Sequence, residues 1–385
     1  MSTRQDRSLH EAGRGSTRFT LVASALAFAS WGCVPHDDDA DDRVVETEHL
    51  RITNTTEHPI CAGTPLLLES EVVRIAEALE LPLWAEDDKL EVRFGEDSVA
   101  EVCTGSSFEH LNGCVRGEGS DIIAVATEVA SIAPHELVHA VRLRNLSLGH
   151  PLFEEGLAEV LSGSDGFAYR AKYPHGEPYD GVEEMLALPG RDFAHYVWGS
   201  SFVSWLWETH GQSTLMAFMN DPRLPDDEML PLLFEEHFGQ TLAEADQAWA
   251  IDERPDATWG APCIPERTYS LADGPVEISG EFDCREPTVY GAAYFMSIWP
   301  MCLEVPENTR VRISVESDHG RLSVQSREPC DPGPAGGEAL RSKYVEAGDV
   351  LEEDISGCRH RMTFSSQEPG FPPTPYTIRI EEIAD

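Results

Sequence analysis

His135-Glu136-Leu137-Val138-His139, followed after a short gap by Phe153-Glu154-Glu155-Gly156-Leu157-Ala158-Glu159, decides how this chain is organised. On a helix, two His four residues apart are separated by about 400° of rotation and roughly 6 Å of rise. Both imidazoles then lie on one face, where they can share a metal ion. Glu136 sits about 100° round from His135, within reach of a water held there without being a ligand itself.

The flanking residues support a helix. Ser131 suits the N-cap, Pro134 falls in the first turn where its missing N–H costs little, and Leu137, Val138 and Val141 supply a buried side. Residues 144–151 read as a loop punctuated by Gly149 and Pro151. A second helix over 153–161 stops at Gly163.

Upstream, Leu50-Arg51-Ile52 begins a strand. Thr64 as N-cap and Pro65 in the first helical position start a helix backed by Leu67, Val72, Ile75, Ala76 and Leu79. Leu90-Glu91-Val92-Arg93-Phe94 alternates as a strand does. Cys103 and Cys114 flank a short loop and can pair locally. The apolar run Ile122–Ala126 is expected as a strand beside the metal helix, an edge that lines a cleft. Downstream, residues 164–193 show little period and read as a long loop. Helical period returns from Tyr196 through Phe202, Val203, Leu206 and Trp207 to His210-Gly211, then over about 213–219, 227–238 and 242–249. From Cys263, short alternating runs (276–278, 310–315, 376–380) between Gly, Pro and Asp clusters signal an antiparallel β-sandwich.

His-Glu-Leu-Val-His followed by Phe-Glu-Glu-Gly-Leu-Ala-Glu resembles the thermolysin-like and aminopeptidase-like gluzincins, zinc metallopeptidases whose second helix carries a similar Glu-Gly-x-Ala pattern. A metzincin needs Gly and His three and six residues after the second His; those positions hold Arg142 and Asn145. The resemblance spans roughly residues 122–250. The series Tyr196, Gly199, Phe202, Leu206, Gly211, Phe238-Gly239 and Trp249 is similar to uncharacterised bacterial members of the clan. The resemblance implies Zn2+ as cofactor, His135, His139 and Glu155 as its ligands, and Glu136 as general base toward a zinc-activated water that attacks a peptide carbonyl. Glu155 is preferred over Glu154 because Glu159 lies one turn on, on the same face, where it can accept a hydrogen bond from a ligand His; Glu154 has only Ala158 there. The gap to Glu155 is shorter than in the best-known members, and His150 in that gap is a rival ligand. Related enzymes place a Tyr or His downstream as oxyanion donor, which makes Tyr196 the candidate, with His195 and His210 as rivals. A half-buried aromatic closing its helix is the competing account of Tyr196.

Sixty-nine acidic residues against 28 basic ones give a formal charge of −41, spread over 385 residues. That excludes nucleic-acid partners; a peptide or protein substrate is what the resemblance implies. Arg4, Arg7, Arg14 and Arg18 precede an apolar run from Phe19 to Trp31, too short to span a bilayer but suited to a signal peptide. Ser30-Trp31-Gly32-Cys33 resembles a bacterial lipobox with Cys33 lipidated, so membrane contact is expected only through a lipid anchor, with ordinary secretion as the alternative. The acidic run Asp37-Asp38-Asp39-Ala40-Asp41-Asp42 lacks the Gly and terminal Glu of an EF-hand and reads as a disordered tether. Setting Cys33 aside leaves eight Cys (61, 103, 114, 263, 284, 302, 330, 358), an even set for four disulfides in an oxidising compartment. No C-x-x-C pair occurs, which argues against thiolate zinc.

The expected fold class is α+β: a signal peptide (1–32), an acidic tether (33–48), a zincin-like metallopeptidase domain of small sheet plus helices (49–262), and a β-sandwich domain (263–385) stapled by disulfides. The expected function is zinc-dependent peptide hydrolysis. The alternative is an exported surface binding protein with a vestigial metal site, which the intact Glu136 argues against. Lipidation has its own test. Cys33→Ser is expected to release the protein from the membrane fraction, and an unchanged fractionation would count against an anchor.

Overall fold

Alternating burial along Leu50–Asn54 (β2) and Leu90–Phe94 (β3) shows why the first sheet forms: Leu50, Ile52, Leu90, Val92 and Phe94 turn inward while their neighbours face out. The structure is a computed structural model. It describes residues 44–383 except 57, 86, 104–112, 118–120, 127–132, 163–180, 189–191, 227, 253–266, 293–294, 299, 307, 327–342, 356, 358 and 367–372. The signal-peptide and lipidation expectations, including Cys33, lie outside the described residues, as do the Ser131 cap and most of the expected long loop.

The first sheet has the order β1-β2-β3-β5-β4, with β1 Val44–Glu46, β4 Gly113–Arg116 and β5 Ile123–Ala126. The β2·β3 and β3·β5 pairs are parallel; β1 and β4 join antiparallel at the two edges. Two expectations change here. The expected tether does not reach 48, because Val44–Glu46 are strand and pair with Arg51–Thr53. The edge strand is β4, and Ile123–Ala126 is internal.

Helix α1 (Gly63–Ala78) connects β2 to β3, and the short α2 (Glu96–Val102) follows β3. Then come α3 (Ala133–Asn145), α4 (Pro151–Ser162), α5 (Val182–Leu186), α6 (Phe193–His210), α7 (Gln212–Met219), α8 (Leu230–Phe238) and α9 (Leu242–Ala250). So the 164–193 segment contains a helix, α5. The α6 helix starts at Phe193, because the Asp192 carboxylate accepts from Ala194 N–H and closes a capping box with His195. The helices, α1 and the sheet share one apolar core. Within it Phe153, Phe202, Phe218, Phe234 and Phe238 pack ring on ring, with centroids 4.5–6.5 Å apart.

A second core lies between two further sheets. The strands are β6 (Thr268–Ser270), β7 (Val276–Phe282), β8 (Val289–Ala292), β9 (Phe295–Ile298), β10 (Met301–Glu304), β11 (Thr309–Ser317), β12 (Arg321–Ser326), β13 (Lys343–Glu346), β14 (Val350–Ile355), β15 (Arg359–Ser366) and β16 (Thr374–Glu382). One sheet has the order β13-β12-β15-β10-β6, with β9 against β15 and β8, and the other is β14-β11-β16-β7. Ile313 and Val315 on β11 (Thr309–Ser317), Ile378 and Ile380 on β16 (Thr374–Glu382), and Met362 and Phe364 on β15 (Arg359–Ser366) fill it. The arrangement is sandwich-like but not wholly antiparallel: β6 (Thr268–Ser270) runs parallel to β10 (Met301–Glu304).

The sandwich is not a free appendage. Cys284 bridges to Cys61 just before α1, so one of the five cysteines expected to staple the β-domain internally joins it to the first. Cys61 N–H donates to Gly291 O, and Ala62 N–H to Cys284 O. Thr64 is not the N-cap: α1 begins at Gly63, and the buried Thr64 hydroxyl donates to Gly291 O while accepting from Gly291 N–H. A Cβ on Gly63 would lie 2.5 Å from Pro287 O and 2.6 Å from Val289 O, so glycine is what lets the helix start against that chain. Cys103–Cys114 is bridged as its spacing suggests, and Cys302 is disulfide-bonded as well. Among the described residues, no helix is long and apolar enough to cross a membrane.

The α4·α6 crossing is set by two glycines. A Cβ on Gly156 would sit 2.5 Å from Gly199 O, and one on Gly199 would sit 2.6 Å from Leu152 O. Both obstructing atoms are backbone, so neither can swing aside. Gly156→Ala is expected to lower stability by about 2 kcal/mol. The measurement is a reduced urea midpoint at unchanged m-value.

Candidate metal centre

The α3 helix carries His135 and His139 on one face, and the brief 146–150 connection returns the chain into α4 beside it. His150 caps that return. Its Nδ1 accepts from Leu152 N–H (3.2 Å) and its Nε2 donates to Leu186 O (3.1 Å), so the rival ligand is engaged with backbone.

The two adjacent glutamates of α4 have separate partners. The Glu154 carboxylate takes a bidentate pair from Arg142 (Nε–Oε2 2.7 Å, Nη2–Oε1 2.9 Å) and a further N–H from Gly149 (2.7 Å). Glu155 turns instead to the two imidazoles. Its Oε2 lies 3.1 Å from His135 Nε2 and 3.1 Å from His139 Nε2, and the two nitrogens are 3.2 Å apart. All three residues are buried, His139 and Glu155 to within 1% of complete. Behind His135, Glu159 Oε1 is 2.9 Å from Nδ1 and accepts its proton, which leaves Nε2 aimed at the shared point.

Three potential ligand atoms therefore face one another in a buried pocket, where a hydrogen between them or a metal ion can satisfy them. Burial lowers the His135 pKa, but hydrogen bonds to Glu155 and Glu159 outweigh it and hold the imidazole well above its usual range. Burial likewise raises that of Glu155; the charge on His139 and the hydrogen bonds from both imidazoles outweigh it, holding the carboxylate well below its usual range. A metal fits the same point. Ligand atoms about 2.0–2.1 Å from a tetrahedral ion lie roughly 3.3 Å from one another, close to the spacing found. His135, His139 and Glu155 thus form a group that can hold a metal ion.

Glu136, the residue after His135, is also buried, and its carboxylate lies against the backbone of Gly113 on β4. Tyr196, in the first turn of α6, is half-buried and stacks on His135, with ring centroids 5.7 Å apart and planes 21° off parallel. The two rival donors are engaged elsewhere. His195 is fully buried; its Nε2 donates to Met185 O (2.9 Å) and its Nδ1 accepts from Asp192 N–H (3.1 Å). His210 pairs with the Gln240 amide at the far end of α6. A second His/Glu group, Glu48, His49 and Glu69, lies toward the surface, where Glu69 ties the Thr47–His49 turn to α1.

Two contributors escape the sequence reading. Arg142 stands three residues after His139, where it served only to exclude metzincins; an arginine on the apolar side of a helix beside a Glu-Glu pair is the signal for it. Gly113 looked like loop punctuation between two cysteines. Its proximity to Glu136 is a long-range pairing that local pattern does not carry.

No family model matches the chain, and no curated protein does. Among solved structures it is similar to Aeromonas hydrophila PliG, a periplasmic inhibitor of g-type lysozyme, at 12% identity over 30% of this chain and 96% of that one, with a TM-score of 0.19. The hydroxypropylphosphonic acid epoxidase from S. wedmorenis aligns at 11% identity over 58% of this chain and 99% of its own, with a TM-score of 0.14. Likeness of this degree carries no argument about fold or chemistry.

Because the His135 pKa is raised in the metal-free protein, protons compete for the site from above the ordinary imidazole range downward. Metal affinity is therefore expected to be highest at alkaline pH and to fall by about tenfold per unit once His135 protonates. Chelator competition at a series of pH values measures this; an affinity flat between pH 8 and 6 would contradict it. Glu159→Ala is expected to weaken binding by about 10- to 100-fold.

Proposed function

We propose that this chain is a zinc-dependent peptidase of the gluzincin type. The observation that carries the proposal is the convergence of His135 Nε2, His139 Nε2 and Glu155 Oε2 on one buried point, with Glu136 on the adjoining turn. Two imidazoles and a carboxylate are a donor set suited to zinc, and three protein ligands leave a fourth position open, as catalytic rather than structural sites do. Zinc, when bound, supplies a Lewis acid that polarises a carbonyl oxygen and makes water acidic enough to ionise near neutral pH.

The chain's own groups do the rest. Glu136 accepts the proton from water and returns it to the departing amine, the role of a general base that then acts as acid. Its neighbours keep it from the metal: the α3 period turns it about 100° away from His135. The Glu159 carboxylate fixes the His135 ring and its tautomer. Tyr196 is the proposed donor to the developing oxyanion, supported by its stacking on His135 and its half-exposed position at the edge of the site. The disulfides belong to a chain that matures where thiols are oxidised, consistent with action outside the cytoplasm.

The test is cleavage of a mixed peptide library by the zinc-loaded protein. Glu136→Gln is expected to keep one zinc per chain and to lose about 10³-fold in rate. Tyr196→Phe is expected to lose about 10²-fold in kcat with little change in KM. Stoichiometric zinc without Glu136-dependent cleavage would overturn the peptidase proposal in favour of a binding protein; absence of bound zinc would overturn the ligand assignment too.

A further inference from the structure

The feature that the proposed chemistry leaves unused is the short edge strand β4 and the disulfide that closes it. β4 has four residues and, among the described residues, one neighbour in the sheet, β5, to which it pairs from Gly113↔Ala126 to Arg116↔Ile123. An edge strand has a sheet neighbour on one side alone. Its first residue is nonetheless in close contact with the proposed base. A Cβ on Gly113 would lie 2.8 Å from Glu136 Oε1, 3.0 Å from Glu136 Cγ and 2.8 Å from Val125 O. The carboxylate thus rests on the bare face of Gly113. Val125 O is backbone of the sheet and the Glu136 carboxylate is the end of a side chain, so a side chain at 113 would press on both, displacing Glu136 and pushing β4 outward.

The next residue, Cys114, is bonded to Cys103, which closes the C-terminus of α2 through its own N–H to Val99 O. Val99, Cys103, Cys114 and Val125 form a separate buried cluster, apart from both main cores. The disulfide is the centre of that cluster and joins β4 to a second element besides β5. The metal ligands stand on α3 and α4, which Arg142 and Glu154 join.

We propose that β4 is the element that positions Glu136, with Gly113 as the positioning residue and the Cys103–Cys114 bond as the clamp that keeps the strand against the base. This rests on Glu136 acting as the base. The division of labour is specific: one device holds the metal ligands, another holds the carboxylate beside them. A displacement of about 1 Å in a reacting group costs on the order of 10²-fold in rate, so the clamp bears on turnover while leaving metal affinity alone.

The experiment uses the full chain loaded with zinc. Gly113→Ala is expected to keep zinc affinity within twofold of the native protein and to lower kcat on the peptide library by about 10²-fold, with KM within threefold. Glu136→Asp shortens the base by one methylene and relieves its share of the contact, while the contact with Val125 O stays, so Gly113→Ala should cost at least tenfold less in kcat in the Glu136→Asp background than in the native one. That loss of additivity is what a general structural defect would not produce. The paired Cys103→Ser and Cys114→Ser variant should accelerate hydrogen exchange at the amides of residues 113–116 and lower kcat by at least tenfold with zinc retained. The paired Cys61→Ser and Cys284→Ser variant should leave exchange at 113–116 unchanged. The proposal is overturned if Gly113→Ala costs as much in the Glu136→Asp background as in the native one, if either β4 variant loses zinc, or if exchange at 113–116 ignores the Cys103–Cys114 bond. Should the native protein cleave nothing, the peptidase reading fails on its own, and exchange and zinc retention still decide whether the disulfide clamps β4 independently of the metal ligands.

Discussion

Everything at the metal centre depends on one buried ion pair, Arg142 with Glu154. Both side chains are inaccessible, the contact is bidentate, and Arg142 also donates to Asn220 Oδ1 and Met219 O at the end of α7. A pair of this kind adds little net stability over an apolar one, because desolvating two charges offsets their attraction; removing one partner alone costs about 3–5 kcal/mol. Its value here is register. Glu154 and Glu155 are adjacent and differ by about 100° around α4. With Arg142 occupying the first, the second is left facing the imidazoles. A rotation of α4 that exchanged them would strand a guanidinium in the core.

The helices behind that pair show the same economy of position. α4 and α6 approach closely because Gly156 and Gly199 present no side chains at the crossing, and that approach carries Tyr196 to the face of His135. His150 and His195 hold the C-terminal carbonyls of α5, Leu186 O and Met185 O, through Nε2, while their Nδ1 atoms accept N–H groups at the starts of α4 and α6. Two of the histidines that looked like site residues are thus joints between helices. The difference from His135 and His139 is in the partners: backbone groups satisfy the joints completely, whereas the metal pair faces another acceptor.

What is legible in the sequence follows from range. The spacing of His135, Glu136 and His139 is written in 3.6-residue periodicity, and so is Glu159 one turn beyond Glu155. The alternation of Leu50–Asn54, Leu90–Phe94 and Thr309–Ser317 shows in the strands it forms. Contacts made across the fold are not written that way. Thr64 has the look of a cap, yet its hydroxyl serves Gly291, 227 positions away. Cys284 has the look of a sandwich staple, yet its partner precedes α1. Gly113 and Arg142 are ordinary residues until the sheet edge and α4 are set beside them. The β6·β10 pairing is parallel for the same reason: strand direction is decided by topology, not by alternation.

Charge explains why such a group suits a cation. Glu136, Glu155 and Glu159 are each at most 7% exposed and crowd around two imidazoles, while Arg142, the guanidinium one turn from His139, is already neutralised by Glu154. Burying ionised carboxylates without partners costs several kcal/mol apiece. A proton on His135 offsets part of that, as its raised pKa records. A divalent ion at the one point that Glu155 and both imidazoles share would offset more and would let Glu159 keep its hydrogen bond. The acidity of the pocket, part of a chain-wide excess by composition, is at this spot what would favour a bound cation.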